Sequence, residues 1–246
     1  MSLNNNSNKQ MILSEKSIQI QNMFDKISKR YDLLNKLLSA GQDIKWRNKM
    51  IRTMPTIKNK NGTLFDIACG TGDVLLNTKA KRNDYSNYIG FDISEGMLNQ
   101  AQVRSKLKNY DCKFVQASAE QIPVENKSAD CISISFGLRN VDNREKALQE
   151  FHRILKDGGT LLILEFFPSE STFFAKIFDF YFKNILPKIG GLLSDKAAYE
   201  YLPKSVSTMP LAKDFKEILL NIGFIEIEQT LWLGGATRLF KAVKKS

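Results

Sequence analysis

The sequence has few of the side chains that enzymes commonly use as bases, nucleophiles or metal ligands. His152 is the only histidine, and it falls within an apolar pattern of helical spacing, so we interpret it as a packed or solvated residue. The three cysteines, Cys69, Cys112 and Cys131, are scattered and form no C-x-x-C pair, which favours a reducing compartment. We therefore expect no bound metal and a mechanism that does without an imidazole base.

Long apolar runs are also missing, as is the apolar segment of a signal peptide. No stretch reaches the roughly 18 uninterrupted apolar residues that a membrane-spanning helix needs. Residues 1–22 open on asparagine, serine and glutamine and are predicted to form a disordered polar tail. Residues 23–246 are numerous enough to bury the core of a single domain. The sequence thus predicts a soluble or peripheral protein.

Acidic residues are outnumbered by basic ones. The chain has 36 lysines and arginines against 26 aspartates and glutamates, a formal net charge of +10. Such an excess suggests an anionic partner, either a lipid surface or a nucleic acid. The alternative, to which we give about equal weight, is that the basic side chains are simply solvated and bind no particular partner.

A cofactor loop is present at residues 63–73. An apolar run ends in Gly-Thr-Gly at 70–72 and an apolar helical pattern follows, which is typical of a strand, a glycine turn and a helix. A dinucleotide fingerprint requires a third glycine where Leu75 stands, so a dinucleotide is disfavoured. Asp66 and Asp73 bracket the loop and would repel a phosphate. A cationic, phosphate-free nucleoside fits better, and S-adenosylmethionine is the common one.

A second acid lies where a nucleoside would need it. The apolar run at 88–92 predicts a strand that ends in Asp92, 20 residues beyond Gly72. At this spacing a second strand places a carboxylate on the ribose hydroxyls. The alternative is an ordinary strand–helix–strand turn with a surface acid.

The remaining pattern alternates strands with helices. Strands are predicted at 64–68, 88–92, 113–115, 131–135, 160–166, 224–232 and 238–243. This predicts an α/β fold with a doubly wound, seven-stranded, mainly parallel sheet. We divide it into an N-terminal helical cap (23–60), a cofactor-binding core (61–166), a helical lid (167–205) and a C-terminal helix with a β-hairpin (206–246). The cap is predicted to hold a helix from Phe24 to Leu38, stopped at Gly41, and a second helix around Trp46 and Ile51. A loop is predicted after Leu202.

Two segments admit two interpretations each. Apolar residues surround almost the whole predicted helix at 173–186, which suggests a lid that presents aromatic rings to an apolar substrate or a bilayer. The alternative is a helix buried between the core and a homodimer partner; the basic charge favours the lid. Arg139 follows the fourth strand, at the sheet edge where ligands bind, and either takes part in chemistry or forms a structural salt bridge.

Together, these motifs resemble class I S-adenosylmethionine-dependent methyltransferases. More narrowly, the chain resembles the quinone-biosynthesis C-methyltransferases, which methylate demethylmenaquinol and the methoxy polyprenyl benzoquinol precursor of ubiquinone. The residues that carry the resemblance are Asp66–Asp73, Phe91–Asp92, Lys29–Asp32 with Asn35, Ile134–Asn140, Leu155–Gly159, Leu164–Phe166, Leu186–Gly190 and Tyr199–Leu202. The Ser-Phe-Gly-Leu-Arg-Asn block is the most specific of them.

The resemblance implies a set of cofactor-binding residues: Asp66, Gly70, Thr71, Gly72, Asp92, Ser118, Ala119 and Ser135. Of these, Asp92 would hold the ribose, and Ser118 with Ala119 would meet the adenine. The chain departs from the family at three places. Ser118 stands where Asp or Asn is common, Phe240 stands where a histidine is common, and Phe167-Pro168 replaces Ser-Lys-Pro.

The reaction expected from the resemblance is transfer of a sulfonium methyl to an aromatic ring carbon activated by a neighbouring phenolate. We expect Arg139 to stabilise the phenolate, directly or through water, and Tyr31 to help at the pocket mouth. Arginine cannot accept the proton, so a water or a carboxylate must. The 173–186 segment would take the polyprenyl tail, and the basic surface would hold a cytoplasmic, peripheral enzyme on an anionic membrane.

Two other classes of protein remain open. A methyltransferase for RNA or another small molecule would use the same loop. The predicted lid is apolar, however, whereas a groove that binds the phosphates of a nucleic acid would be basic. A non-catalytic scaffold need not keep Gly70, Gly72 and Asp92 together.

Overall fold

The computed structural model describes residues 13–28, 39, 41–168 and 196–246, without the side chains of residues 196–200 and 202. Tyr31 and the aromatic segment 173–186 lie outside the described residues, as do residues 1–12 of the predicted tail.

Seven helices and seven strands make up the described part of the chain. In chain order they are α1 (Glu15–Ile27), α2 (Gln42–Thr53), β1 (Gly62–Ile67), α3 (Asp73–Lys81), β2 (Tyr85–Asp92), α4 (Glu95–Leu107), β3 (Lys113–Gln116), β4 (Ala129–Ser135), α5 (Arg144–Ile154), β5 (Leu155–Phe166), α6 (Lys196–Ser207), α7 (Ala212–Ile222), β6 (Phe224–Trp232) and β7 (Thr237–Lys244). A short 3-10 turn, Leu138–Asn140, follows β4.

The strands form one seven-stranded sheet in the order β3-β2-β1-β4-β5-β7-β6. Strands β1 to β5 are parallel, and β7 pairs antiparallel with both β5 and β6. The predicted seven-stranded, mainly parallel sheet with a C-terminal hairpin is therefore confirmed. The strand order reverses between β1 and β4, and in open sheets the crevice at such a point is where ligands bind.

Apolar side chains cover both faces of the sheet. Neighbouring residues on β1 point to opposite faces, so Phe65 belongs to the same apolar cluster as Phe151 and Phe215, whereas Leu64 belongs to a second cluster with Met50. All six residues of β1 are buried. Burial on both faces explains why apolar residues follow one another in this strand instead of alternating with polar ones.

The N-terminal helix starts earlier than predicted. Helix α1 begins at Glu15, so residues 15–22 belong to a helix and the assignment of 1–22 to a disordered tail is wrong for them. The Ser14 hydroxyl accepts a hydrogen bond from the Ser17 N–H and caps the helix, and Ile20 and Ile27, seven residues apart, are buried on one face. The polar composition hid this amphipathic stripe.

Two further boundaries differ from the prediction. Strand β5 begins at Leu155 rather than at residue 160. Leu155 pairs with Ala129 and Thr160 with Cys131, so the register shifts between them, and Gly158 in this stretch takes the left-handed backbone (φ 73°) that glycine favours. Helix α6 continues to Ser207 through Pro203, where a loop was predicted. The Arg144 guanidinium donates to the carbonyl and hydroxyl oxygens of Thr208 (2.8 and 2.6 Å) and so holds the end of this helix.

Phe240, which stands where the resemblance leads us to expect a histidine, is a core residue. Its ring lies 5.2 Å from that of Phe167 and 5.1 Å from that of Phe215, and it is fully buried.

We expect Phe240→Ala to lower the free energy of unfolding by about 3–5 kcal/mol, because it leaves a cavity in an aromatic cluster. Urea denaturation is the measurement, with Leu231→Ala, whose residue is 51% exposed on neighbouring β6, as the control. Equal losses in the two variants would contradict this account of the core.

Candidate active site

The glycine loop joins β1 to α3 at the carboxyl ends of the parallel strands. Gly70 and Gly72 both have the positive φ values, 55° and 82°, that favour glycine. The Gly72 N–H donates to the Cys69 carbonyl (2.9 Å) and closes the turn. A Cβ on Gly72 would also lie 3.2 Å from the Ala101 Cβ of α4. The loop thus needs glycine for both backbone shape and packing.

The first of two pockets opens beside this loop and contains about 680 Å3 of empty space, part of it open to solvent. That size falls in the range of small-molecule sites. Its lining brings together four predicted cofactor residues, which are Gly70, Asp92, Ser118 and Ala119. We call it the nucleoside pocket.

Asp92 is held rigidly at the floor of this pocket. Its Oδ2 accepts the Gly70 N–H (2.8 Å) and its Oδ1 accepts the Ser94 N–H (2.9 Å). Burial raises the pKa of its carboxyl to about 6, although these two backbone hydrogen bonds act in the opposite direction. Each carboxylate oxygen keeps a further lone pair, so the fixed side chain can still accept hydrogen bonds from two vicinal hydroxyls.

Helix α1 forms one wall of the nucleoside pocket through Ser17, Ile20 and Phe24. Asp25 fastens the helix there, because its Oδ1 accepts both the Ser94 hydroxyl (2.5 Å) and the Gly96 N–H (2.9 Å) at the start of α4. Phe24 lies on the helix that the sequence predicted, but Ser17 and Ile20 fall in residues 1–22, which were assigned to the tail, so this part of the wall was not predicted. Asp25 is the residue that could have indicated the contact between α1 and α4. An aspartate that caps a helix about 70 residues away, however, leaves no pattern in the sequence around it.

The second pocket lies on the other side of the loop and is polar. Its charged lining residues are Arg47, Asp66 and Asp73, and it also contains Ser135, a predicted cofactor residue. The Asp66 Oδ1 accepts the Ser133 hydroxyl (2.7 Å). Burial raises the pKa of Asp66 to about 7, opposed by that hydrogen bond and by Arg47. We call it the polar pocket.

Thr71 has a supporting position in the loop. Its carbonyl and hydroxyl oxygens accept from Arg104 Nη1 (2.9 and 2.8 Å), and Arg104 Nη2 donates to Asp73 (2.5 Å). Helix α4 therefore braces the turn from outside. Thr71 also lines the polar pocket.

Arg139 forms a structural salt bridge, which is one of the two roles that the sequence suggested for it. Its Nη1 donates to Glu165 Oε1 (2.8 Å) and to the Phe136 carbonyl (2.5 Å), and Glu165 is fully buried. Two buried polar atoms beside this pair, Arg139 Nε and Asn140 Oδ1, have no hydrogen-bond partner in the described part of the chain. Asn140 lines the nucleoside pocket, so these two atoms lie at or next to that pocket.

Both pockets fit S-adenosylmethionine in chemistry. The nucleoside pocket offers a carboxylate that could accept ribose hydroxyls, and none of its described lining residues is basic, as a phosphate would require. The polar pocket carries carboxylates that suit a cation. Among the described residues, no group of three or more His, Cys, Asp or Glu side chains is arranged to hold a metal ion.

Comparisons with known proteins agree with this chemistry. The model of the ubiE/COQ5 methyltransferase family matches residues 10–244. The ubiquinone/menaquinone biosynthesis C-methyltransferase UbiE of Campylobacter jejuni (strain 81116) is 42% identical, covering 94% of this chain and 99% of its own. UbiE of Geotalea uraniireducens is 38% identical with the same coverage.

Solved structures of other methyltransferases share the fold. A SAM-dependent methyltransferase from Thermotoga maritima has a TM-score of 0.62 at 18% identity, over 92% of this chain and 99% of its own. Another from Aquifex aeolicus has a TM-score of 0.54 at 16% identity, over 76% and 86%. The predicted class I methyltransferase fold is confirmed.

The predicted enzyme class and cofactor are confirmed as well, and the protein is an S-adenosylmethionine-dependent methyltransferase. A family model that spans nearly the whole chain, together with relatives that align end to end, shows that the chain belongs to the ubiE/COQ5 methyltransferase family.

Proposed function

We propose that this enzyme transfers the methyl group of S-adenosylmethionine to a ring carbon of a polyprenylated quinol. The substrate is demethylmenaquinol, the methoxy polyprenyl benzoquinol of the ubiquinone route, or both. The observation that carries the proposal is the contact between the nucleoside pocket and the turn that holds Asn140 and Arg139, where two buried polar atoms have no hydrogen-bond partner among the described residues. A quinol ring with two hydroxyl groups is the kind of ligand that would satisfy them.

The cofactor would lie along the glycine loop. Asp92 accepts the ribose hydroxyls, and Ser118 and Ala119 border the adenine. The backbone at Gly70 and Gly72 allows close approach of the ligand. Asp66, Thr71 and Ser135 lie on the polar pocket, toward the sulfonium end. Bound in this way, the cofactor supplies the electrophilic methyl group.

The chain's own residues have three tasks in this reaction, which are alignment, exclusion of water and management of one proton. The ring carbon becomes nucleophilic when the neighbouring phenol loses its proton to a water or a carboxylate. Arg139 stabilises the phenolate through its Nε, since its Nη1 is already committed to Glu165 and Phe136. Tyr31 assists at the pocket mouth. Methyl transfer would leave S-adenosylhomocysteine and a neutral dienone. The ring proton then passes to water, and the phenolate that results takes up a proton, so the aromatic quinol is restored with one proton released overall.

The apolar tail and the membrane complete the proposal. The aromatic segment 173–186 would receive the polyprenyl tail, and the net charge of +10 favours attachment to an anionic bilayer surface in the cytoplasm. In the part of the chain that the structure describes, no helix is both long enough and apolar enough to cross a bilayer. A homodimer that covers the aromatic segment is the alternative use of that surface.

The role of Arg139 can be separated from its salt bridge. We expect Arg139→Gln to lower kcat for a short-tailed demethylmenaquinol by about 100-fold, because one preorganised donor to the phenolate is lost. The affinity for S-adenosylmethionine should stay within about twofold, since Arg139 does not line the nucleoside pocket. The control is Glu165→Gln, which weakens the ion pair and keeps the guanidinium. Undiminished turnover in Arg139→Gln with intact cofactor binding would remove Arg139 from the mechanism.

Cofactor affinity should depend on pH through Asp66 and Asp92. Both acids have raised pKa values, about 7 and about 6, and a cationic ligand favours their ionised forms. Affinity is therefore highest above about pH 8 and should fall by about tenfold toward pH 6 as Asp66 takes up a proton. Arg47 and Asp92 are the charged groups that act on Asp66, in opposite directions. Calorimetry in buffers of different ionisation enthalpy would measure both affinity and proton release near pH 7.

The matched control for this pH dependence is Asp66→Asn. This variant keeps an acceptor for the Ser133 hydroxyl but cannot titrate, so its affinity should change less between these pH values. Equal affinity of the wild type at both pH values would contradict the assignment.

A further inference from the structure

The two faces of the sheet differ in charge. Helices α2 and α3 contribute to the apolar cluster on one face, and they contain six basic and two acidic residues. Helices α5 and α7 contribute to the cluster on the other face, and they contain five basic and four acidic residues. The two acids of α2 and α3, Asp43 and Asp73, both pair with the buried Arg47. They are therefore not available to offset the charge on the outer surface of these two helices.

Three of these cations line up on the outer side of α2. Lys45, Lys49 and Arg52 are exposed, and their spacing of four and three residues places them on one side of the helix. None of the three forms an ion pair or a side-chain hydrogen bond within the part of the chain that the structure describes. Lys81, at the end of α3, is also exposed and donates to the Asn48 side chain of α2, so a fourth positive charge lies beside them.

Lysines on other surfaces have acids next to them. Lys127 forms an ion pair with Asp157 (2.6 Å). In α7, Lys213-Asp214 and Lys216-Glu217 each place a carboxylate beside a lysine in the sequence. An adjacent acid cancels much of the field of a lysine, whereas the fields of clustered like charges add up. The outer side of α2 is therefore suited to an anionic partner with an extended surface.

An apolar side chain on the same side of α2 favours a lipid over a nucleic acid. Ile44 is 48% exposed and lies four residues before Asn48 and eight before Arg52, so it belongs to this side of the helix. Helices that lie on bilayers combine basic side chains with apolar ones that enter the headgroup region. A phosphate backbone would engage the cations and leave the isoleucine exposed. The choice of a lipid also rests on the polyprenylated quinol proposed above, because such a substrate partitions into bilayers.

Helix α2 lies between this surface and the site. Its Arg47 lines the polar pocket, and its Trp46 packs on Phe136 of the nucleoside pocket with ring centroids 6.1 Å apart. A helix with its side chains is about 10–12 Å across. A bilayer on the outer side of α2 would therefore lie one helix diameter from the pockets, within reach of a quinol whose tail stays in the membrane.

We propose that the enzyme docks on the headgroups of an anionic bilayer through the outer side of α2. This surface consists of Ile44, Lys45, Lys49 and Arg52, with Lys81 beside it, and we call it the α2 face. The attraction between basic side chains and anionic lipids acts within about 8 Å at physiological ionic strength, so docking weakens as salt is added. Burial of Ile44 among the headgroups adds a contribution that salt does not screen.

The test is sedimentation of the full chain with vesicles of phosphatidylcholine, with and without phosphatidylglycerol. We expect Lys45→Gln/Lys49→Gln to lower the partition coefficient onto the anionic vesicles by about 10- to 30-fold, because each cation near the surface contributes roughly a fivefold factor. The matched control is Lys213→Gln/Lys216→Gln, which removes the same net charge from α7 on the other face of the sheet. Its partition coefficient should stay within about twofold of the wild type, because those charges lie beyond the screening distance from the docked surface.

Three results would overturn the inference. The first is an equal loss of vesicle binding in the two double variants, which would make net charge rather than the α2 face responsible. The second is equal binding of the wild type to vesicles with and without phosphatidylglycerol, a measurement that needs no variant. The third is salt-sensitive binding of duplex RNA that Lys45→Gln/Lys49→Gln abolishes, in a wild type that binds no vesicles, which would assign the α2 face to a nucleic acid.

Turnover of a short-tailed demethylmenaquinol without vesicles separates this inference from the proposed function. Both double variants should keep wild-type turnover there, because the exchanged lysines line neither pocket, and this turnover also shows that they are folded. A wild type that binds anionic vesicles through the α2 face but does not methylate the quinol would contradict the proposed function and support the docking surface.

Discussion

The site depends on one hydrogen bond between two loops of the sheet, the 2.8 Å contact from the Gly70 N–H to the Asp92 carboxylate. It joins the turn after β1 to the end of β2, and the same carboxylate accepts the Ser94 N–H at the start of α4. Asp25 binds the same helix start and brings α1 over the pocket. A single buried acid thus joins the glycine loop to the start of α4, where α1 is also attached, and in the proposed function it would present its oxygens to a ribose.

Burial of carboxylates next to this loop is unfavourable in the absence of a cation. Burial is the main reason that the pKa values of Asp66 and Asp92 are raised. In the proposed function, a ligand with a sulfonium and an ammonium group would offset that desolvation. Arg47 and Arg104 reduce the repulsion among the acids and tie helices α2 and α4 to the same turn. The charged groups that would favour a cationic cofactor are therefore also those that hold the loop between α2 and α4.

Sequence patterns predicted the parts of this structure that are set locally. The apolar run, the two glycines and the spacing to Asp92 follow from strand and turn geometry, and they led to the correct sheet and cofactor. Contacts between distant segments could not be predicted in this way. Nothing local marks Arg47 as a pocket residue, Asp25 as a cap for α4, or Glu165 as the partner of Arg139. The start of α1 was missed because its apolar stripe is narrow, and the register shift before residue 160 because Gly158 resembles an ordinary turn.

The most direct test of the central claim is calorimetric titration of S-adenosylmethionine into the wild type, Asp92→Ala and the exposed control Asp111→Ala, with circular dichroism to verify folding. The account predicts that Asp92→Ala loses cofactor binding because both the ribose acceptor and the brace on Gly70 are removed, and that Asp111→Ala binds as the wild type does. Retention of wild-type affinity by a folded Asp92→Ala protein would contradict the claim that this carboxylate organises the site.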